Sequence, residues 1–310
     1  MITFPYKICI PIRIRAEGGL YTFISYFVSF LHKNNVNFTH NLLSRYDFLL
    51  VNSWIVPPYR IFLAKLLLPK LKVIQRVDGS AQDYGRGEEA DRRQSKVNRL
   101  ADLSIFQSNY GRFSTRIKYP IISKDGPVIF NPVDTELFNP SGETVALPKG
   151  IKVVHVTFST NPKKGADQLF RVAKNNPDLN FILCGRYQNI PDLPNIYYVG
   201  LLGRTELAKV LRSCHFFGFF SQNEACPNVV LEALASGLPV LYSNSGGTCE
   251  LVGEAGIAIT VDSFREAVEE IWPYWRDWSK QARKRAVTNF SIDKIIPQYL
   301  KAFLSIKRRS

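Results

Sequence analysis

The sequence has no C-x-x-C pair, and its cysteines, at positions 9, 184, 214, 226 and 249, are five in number. Neither a zinc ribbon nor a paired disulfide framework is expected from an odd, scattered set, and a reducing cytosol fits it best. No stretch reaches about 18 consecutive apolar residues, so no spanning helix is expected. The opening MITFPYKICIPIRIRAEGG has no apolar core followed by a small-residue cleavage site, and export is not expected either. The four histidines, at 32, 40, 155 and 215, lack any ligand spacing. G-x-G-x-x-G is missing and no acid follows the next strand as a ribose partner would, which disfavours a dehydrogenase. Low-complexity segments and repeats are absent too.

What remains is an ordinary packed composition: 45% hydrophobic, 21% charged and 13% aromatic over 310 residues, enough for two domains of about 150 residues each. The formal net charge of +14 calls for an anionic partner, whether nucleic acid, an acidic membrane surface or a phosphorylated ligand. This excess is spread along the chain. Residues 1–150 hold 20 Lys and Arg against 12 Asp and Glu, a net of +8, and residues 151–310 hold 20 against 14, a net of +6. Charge alone does not select the partner, but no basic-aromatic repeat suited to base stacking occurs, so nucleic acid is not expected.

Short apolar runs alternate with helical segments along the whole chain. YKICIPI, YDFLLVNS, LKVIQRVDG, DLSIFQS and GPVIFNPVD read as strands of a first domain; IKVVHVTFS, LNFILCG, NIYYVG, HFFGFFS, PVLYS and GIAITV read as strands of a second. The fold class expected is α/β, with two tandem Rossmann-like, doubly wound parallel-sheet domains. Boundaries are placed at 1–140 for the first domain, 141–150 for a Pro- and Gly-containing linker, 151–290 for the second domain and 291–310 for a last helix with a basic tail. In that helix Ile292, Ile295, Ile296, Tyr299, Leu300 and Phe303 recur at helical spacing, which suits packing on a domain.

The stretch SQNEACPNVVLEALASGLPV, from 221 to 240, places Glu224 before a helix start and Glu232 inside the helix. Pro227 suits the first helical position, where its missing N–H costs nothing. The N–H groups of Asn228, Val229 and Val230 then form the positive end of a helix dipole, an anion site suited to phosphate. Glu232 lies five residues on from Pro227, about 7.5 Å along the axis, with its side chain leaning back toward that end. The two carboxylates are placed to grip a nucleotide-linked sugar at its two ends.

EACPNVVLEALASGLPV followed by SGGTCELVGEAG resembles the donor-site block of retaining GT-B-fold glycosyltransferases of the family-4 type, the glycosyl transferases group 1. FNPVDTELFNP, NPKKGADQLF, FILCGR, NIYYVGLLGRTELAKVL and the EGG of 17–19 resemble further segments of the same family. The second domain is covered almost throughout, the first only by its order of elements and short matches.

The resemblance implies two domains facing across a cleft that holds a nucleoside diphosphate sugar. It makes Glu232 the ligand of the ribose hydroxyls, Glu224 the carboxylate near the donor sugar, and Lys164 the cation on the diphosphate, with Gly165 admitting the backbone. Asn228, Val229 and the helix start are assigned to the distal phosphate, which Gly18 and Gly19 meet from the first domain. Neither metal nor cofactor is implied, and no D-x-D motif occurs.

Phe158 stands near the place where many relatives carry an Arg, so leaving-group stabilisation is expected to rest on Lys164, Lys163 or Arg186. Where many relatives place a His after a central strand of the first domain, this chain has Arg76 and Asp78, the acceptor-side candidates.

The expected activity is sugar transfer to the hydroxyl of a glycan or lipid-linked acceptor with retention of configuration. Its alternatives are a sugar-nucleotide epimerase and a non-catalytic anionic-ligand or nucleic-acid binding module. A cytoplasmic site is expected, with peripheral contact at the inner membrane face through PPYRIFLAKLLLPKLK, where Arg60, Lys65, Lys70 and Lys72 stand among Leu and Phe.

Overall fold

The computed structural model describes residues 4–12, 18–118 and 125–307. From the N-terminus the elements are β1 (Ile8–Cys9), α1 (Gly19–Lys33), β2 (Phe38–Thr39), β3 (Phe48–Asn52), α2 (Pro58–Leu67), β4 (Lys72–Val77), α3 (Glu88–Asn98), β5 (Leu103–Phe106), α4 (Asn109–Lys118) and β6 (Asp125–Val128). The chain continues through β7 (Lys152–Thr157), α5 (Ala166–Asn175), β8 (Asn180–Gly185), β9 (Ile196–Gly200), α6 (Arg204–Arg212), β10 (Phe216–Phe219) and α7 (Asn228–Ala235). It ends with β11 (Val240–Ser243), α8 (Thr248–Val252), β12 (Gly256–Ile259), α9 (Phe264–Ile271), α10 (Trp275–Phe290) and α11 (Ile292–Lys307).

The strands form two six-stranded sheets, in the orders β2-β1-β3-β4-β5-β6 and β12-β11-β10-β7-β8-β9. Every pairing between these strands is parallel. Parallel strands need crossovers, and the crossover helices cover both faces, so the central strands are buried on both faces rather than on alternate residues. β3 illustrates this. All five of its residues are buried; Phe48 and Leu50 enter the cluster with α1 and α11, while Leu49 and Val51 enter the one with Ile61 and Ala64 of α2 and Val97 of α3. Two tandem Rossmann-like domains are thus present.

The chain divides into two compact units, Met1–Pro132 together with Ile292–Ser310, and Val133–Ser291. The segment expected as a linker, 141–150, lies inside the second unit. Pro and Gly suggested an open connection, but half-buried cations bind its neighbourhood: Arg212 donates to the carbonyls of Asn139, Leu137 and Glu143, and Arg283 to those of Phe138 and Thr135. Phe138 is wholly buried there.

α11 returns to the first unit, with Tyr299 against Phe23 and Phe27, and Phe303 against Phe27 and Phe48. The basic tail at 308–310 and Glu17 of the EGG turn lie outside the described residues. Two elements exceed the sequence expectation. β2 is a two-residue edge strand, and α10 is a 16-residue helix of which only Ala282, Ala286 and Phe290 are buried.

In the second unit the loops that follow β7, β8, β10 and β11 leave the carboxyl ends of the strands. These loops carry Lys163 and Lys164, Arg186, Glu224, and Ser245 with Gly246, respectively. Crevices at the carboxyl ends of parallel strands are where open α/β sheets take their ligands.

Candidate functional site

After β7 the chain turns through a short 3-10 helix, Pro162–Lys164, capped by the Asn161 side chain, which accepts from the Lys163 N–H at 2.9 Å. Gly165 then starts α5 at φ +74°, and a Cβ there would stand 2.3 Å from the Phe220 carbonyl oxygen. Only glycine fits, because both the left-handed backbone and the close neighbour exclude a side chain. The sequence reading reserved Gly165 for the approach of a ligand. The approach seen is that of the β10 strand end, which brings the two loops together. The Gln222 N–H donates to the Lys163 carbonyl at 2.7 Å, and the Lys163 ammonium lies 3.4 Å from the Gln222 side-chain oxygen.

This junction sets Lys164 Nζ 2.9 Å from Glu224 Oε1, both side chains being about five-sixths buried. The Glu224 loop is fixed from its other side. Its carbonyl accepts from the Gly247 N–H at 2.8 Å, and the Asn223 N–H donates to Ser245 Oγ at 3.0 Å. Gly246 sits at φ +69° with a virtual Cβ 2.4 Å from the Glu224 carbonyl oxygen, a second place where the loops meet through glycine. Two residues that the sequence placed 60 apart thus form a largely enclosed ion pair.

His155, beneath Lys164 on β7, is wholly enclosed. Burial foremost, then the Lys164 charge, push its pKa down to about 3, so it is neutral. Its Nδ1 lies 2.6 Å from the Tyr187 hydroxyl, which itself donates to the His155 carbonyl. This is a structural role.

Four residues beyond Glu224, α7 begins. Pro227 occupies the cap position rather than the first helical one, and its carbonyl accepts from the Val230 N–H at 3.2 Å. Val230 is therefore not among the donors that an incoming anion would meet, which corrects the expectation for that residue. Asn228 and Val229 form the first turn, both half-buried.

Glu232 lies on the inner face of α7 with 7% of its surface exposed. Burial pushes its carboxyl up to about 7, and the Arg204 guanidinium, 3.8 Å away, acts in the opposite sense. Arg204 opens α6 and lies over the Phe138 ring at 5.3 Å. The residue was not singled out in the sequence. Its signal was a cation at the start of the helix that follows NIYYVGLLG, 28 positions from its partner.

The site therefore combines a carboxylate poised between its two protonation states, a helix start, and a lysine–carboxylate pair. Such a set suits a ligand that is anionic at its centre and hydroxyl-bearing at its ends.

Arg186 is exposed and, among the described residues, pairs with neither carboxylate; Phe158 is 38% exposed. Gly18 and Gly19 stand at the start of α1 in the first unit, Gly18 as its cap residue. Arg76 is 2% exposed. Its guanidinium donates to the side chains of Asn52, Asn131 and, at 2.9 Å, Asp78, and it stacks 4.1 Å from the Phe23 ring centroid. It is an internal strut, and the expectation of acceptor contact through Arg76 is corrected accordingly. The Asp78 side chain is 43% exposed and remains reachable. No group of three or more His, Cys, Asp or Glu among the described residues is arranged to hold a metal ion.

Residues 153–273 match the family described as glycosyl transferases group 1. A GDP-mannose-dependent alpha-mannosyltransferase of Mycobacterium tuberculosis is 28% identical over 149 residues, 44% of this chain and 39% of that protein. An uncharacterized glycosyltransferase of Methanocaldococcus jannaschii is 32% identical over 135 residues, 40% of this chain and 36% of that one. These matches span less than two fifths of the relatives' own length.

Among solved structures, sucrose-phosphate synthase from Thermosynechococcus elongatus superposes with a TM-score of 0.69 at 18% identity, covering 93% of this chain and 78% of that one. The Anabaena protein HepE in complex with UDP superposes with a TM-score of 0.67 at 16% identity, covering 93% and 90%. The chain has the GT-B fold, and its residues 153–273 are similar to the glycosyl transferases group 1 family.

Proposed function

We propose that the protein is a glycosyltransferase that moves a sugar from a nucleoside diphosphate sugar to a hydroxyl of a glycan or lipid-linked acceptor, with retention of configuration and without a metal. The observation that supports this reading is the Lys164–Glu224 pair at the carboxyl ends of one sheet, with the start of α7 four residues beyond Glu224 and the buried Glu232 on that same helix. Glu232, once ionised, accepts from the ribose hydroxyls. The α7 start and Lys164 face the diphosphate. Glu224 stands beside Lys164 on the side of the transferred sugar.

Bond cleavage leaves negative charge on the diphosphate, and the Lys164 ammonium with the N–H groups of the α7 start stabilises it as it develops. The acceptor hydroxyl attacks from the face that the diphosphate leaves, and a diphosphate oxygen takes its proton. In this reading the Lys164–Glu224 pair fixes the lysine before the donor arrives. The site operates in the cytoplasm, with the first unit receiving the acceptor and Asp78 at its accessible rim.

The test is to incubate the chain with GDP-, UDP-, ADP- and dTDP-sugars in EDTA together with pooled glycan and lipid-linked acceptors. Nucleoside diphosphate release and the anomeric configuration of the product are followed by NMR. GDP-mannose is the first donor to try, since a matched relative is named for it. One donor consumed in EDTA, with the anomeric configuration kept, supports the proposal. An isomeric nucleotide sugar formed without acceptor would identify an epimerase instead, and no turnover of any donor would leave a binding module.

A further inference from the structure

α2 carries its large apolar side chains on the face that does not meet the core. Tyr59, Phe62, Leu63, Leu66 and Leu67 follow the i, i+3, i+4, i+7, i+8 spacing of one helical stripe. Such a stripe ordinarily points inward. Here all five residues are exposed, from 49% at Leu63 to 71% at Leu67, while the inward face buries only Ile61 and Ala64. Trp54 and Ile55, in the loop before the helix, extend the apolar surface. Single exposed leucines are ordinary, but a contiguous stripe marks a surface that something covers.

Charge indicates what covers it. From Phe48 to Val77 there is no Asp or Glu, against five cations at 60, 65, 70, 72 and 76. Arg76 is internal, and Lys65 is tied to Asp102 at 3.0 Å and to the Leu100 carbonyl. Arg60 and Lys70 are exposed, and among the described residues neither has a carboxylate partner. The Arg93 guanidinium of α3 lies over Trp54 at 5.3 Å and is itself paired with Glu89. A second copy meeting this face about a twofold axis would bring the same cations together with no acid from the helix to match them. At ten residues, about 15 Å, α2 is too short to span a bilayer.

We propose that α2 and the Trp54–Ile55 loop dock on an anionic lipid surface. The helix lies in the plane of the interface with Phe62, Leu63, Leu66 and Leu67 toward the acyl chains, and Arg60 and Lys70 meet lipid phosphates. This inference uses no residue of the candidate donor site and stands whether or not the protein transfers sugar.

The test is co-sedimentation of the full chain with phosphatidylcholine vesicles, either pure or containing about one third phosphatidylglycerol. Binding to the anionic vesicles only, weakened in about 0.5 M salt, is expected. A Phe62→Ser/Leu66→Ser variant should lose roughly tenfold or more of the partitioning, and an Arg60→Glu/Lys70→Glu variant should lose a comparable share. The melting temperatures of both should match the parent, since all four side chains are exposed. Three results would overturn the proposal: no sedimentation, sedimentation undiminished in the Phe62→Ser/Leu66→Ser variant, or a dimer in solution that this variant turns into a monomer.

Discussion

The two units are built alike, each on a six-stranded parallel sheet, yet they handle buried charge in opposite ways. In the first, Arg76 is enclosed and each end of its guanidinium finds an amide or carboxylate from β3, the β4 end or Asn131. Nearby amides extend the network: Gln75 donates to the Ser53 and Gln94 carbonyls, and Asn98 to Gln75 and Ser104. In the second, Glu232 is enclosed with the Arg204 guanidinium 3.8 Å away, and burial raises its carboxyl to about 7. Three side-chain acceptors hold the Arg76 charge in place as part of a core, although its Nε has none of its own, whereas a buried carboxylate whose cation stands 3.8 Å away is free to take a ligand.

That contrast can be broken by substitution. Arg76→Met leaves the Asn52 and Asn131 side-chain oxygens buried without their donor, and the expected cost is about 2 kcal/mol or more, read as a lowered denaturation midpoint for the chain. A midpoint unchanged by this substitution would show that the network is ornamental. Lys164→Met should do the reverse. It costs the fold less, since the Glu224 partner is on a loop at the carboxyl ends of the strands and keeps some access to solvent, while turnover of the nucleotide sugar falls by roughly 10²- to 10³-fold. Steady-state kinetics and a thermal melt on the same sample separate the two effects.

The Glu232 carboxyl gives a pH dependence of defined sign. Its pKa is raised in the folded chain, to about 7 from an ordinary 4.5, so the folded state binds the extra proton between these values. Stability from this group is full below pH 4.5 and is lost as pH rises through about 7. Affinity for the ribose runs the other way, because the ionised carboxylate is the better acceptor. Nucleoside diphosphate binding should therefore strengthen by about tenfold as pH rises from 6 to 8, and Glu232→Gln should flatten that profile while raising the melting temperature at pH 8.

A smaller shift is expected from Arg204→Met. Arg204 lowers the Glu232 pKa, so its removal moves the binding midpoint to higher pH without abolishing binding, as calorimetry across the same pH range would show. A midpoint that stays in place would mean that the pair at 3.8 Å contributes nothing.

How legible each unit was in the sequence follows from the same difference. The residues of the second site stand in short, dense segments, NPKKG and EACPNVVLE, where glycine, proline and charge occur together at fixed offsets. Lys164, Glu224 and Glu232 could accordingly be named in advance. The distance between Lys164 and Glu224 could not, because it depends on Gly165 and Gly246 letting two loops touch. Arg204 escaped notice because its partner is on another crossover.

In the first unit Arg76 looked like a ligand-facing cation, since a charged residue at a strand end usually is exposed. Its enclosure depends on Asn52, Asn131 and Phe23, which approach from three different elements. The fold itself was readable from the alternation of apolar runs. α10 was not, since its 16 residues bury three small or terminal side chains and present little apolar period. The 141–150 segment was misplaced because Pro and Gly report backbone shape, whereas Arg212 and Arg283 decide what the neighbouring chain packs against.

The most direct test of the account is isothermal titration of the full chain with UDP, GDP, ADP and dTDP at pH 8 in EDTA, alongside its Glu232→Ala variant. The account predicts that one nucleoside diphosphate binds without metal and that the variant loses at least about tenfold in affinity. Binding of equal strength by the variant, or no binding of any nucleoside diphosphate by the parent chain, would contradict it.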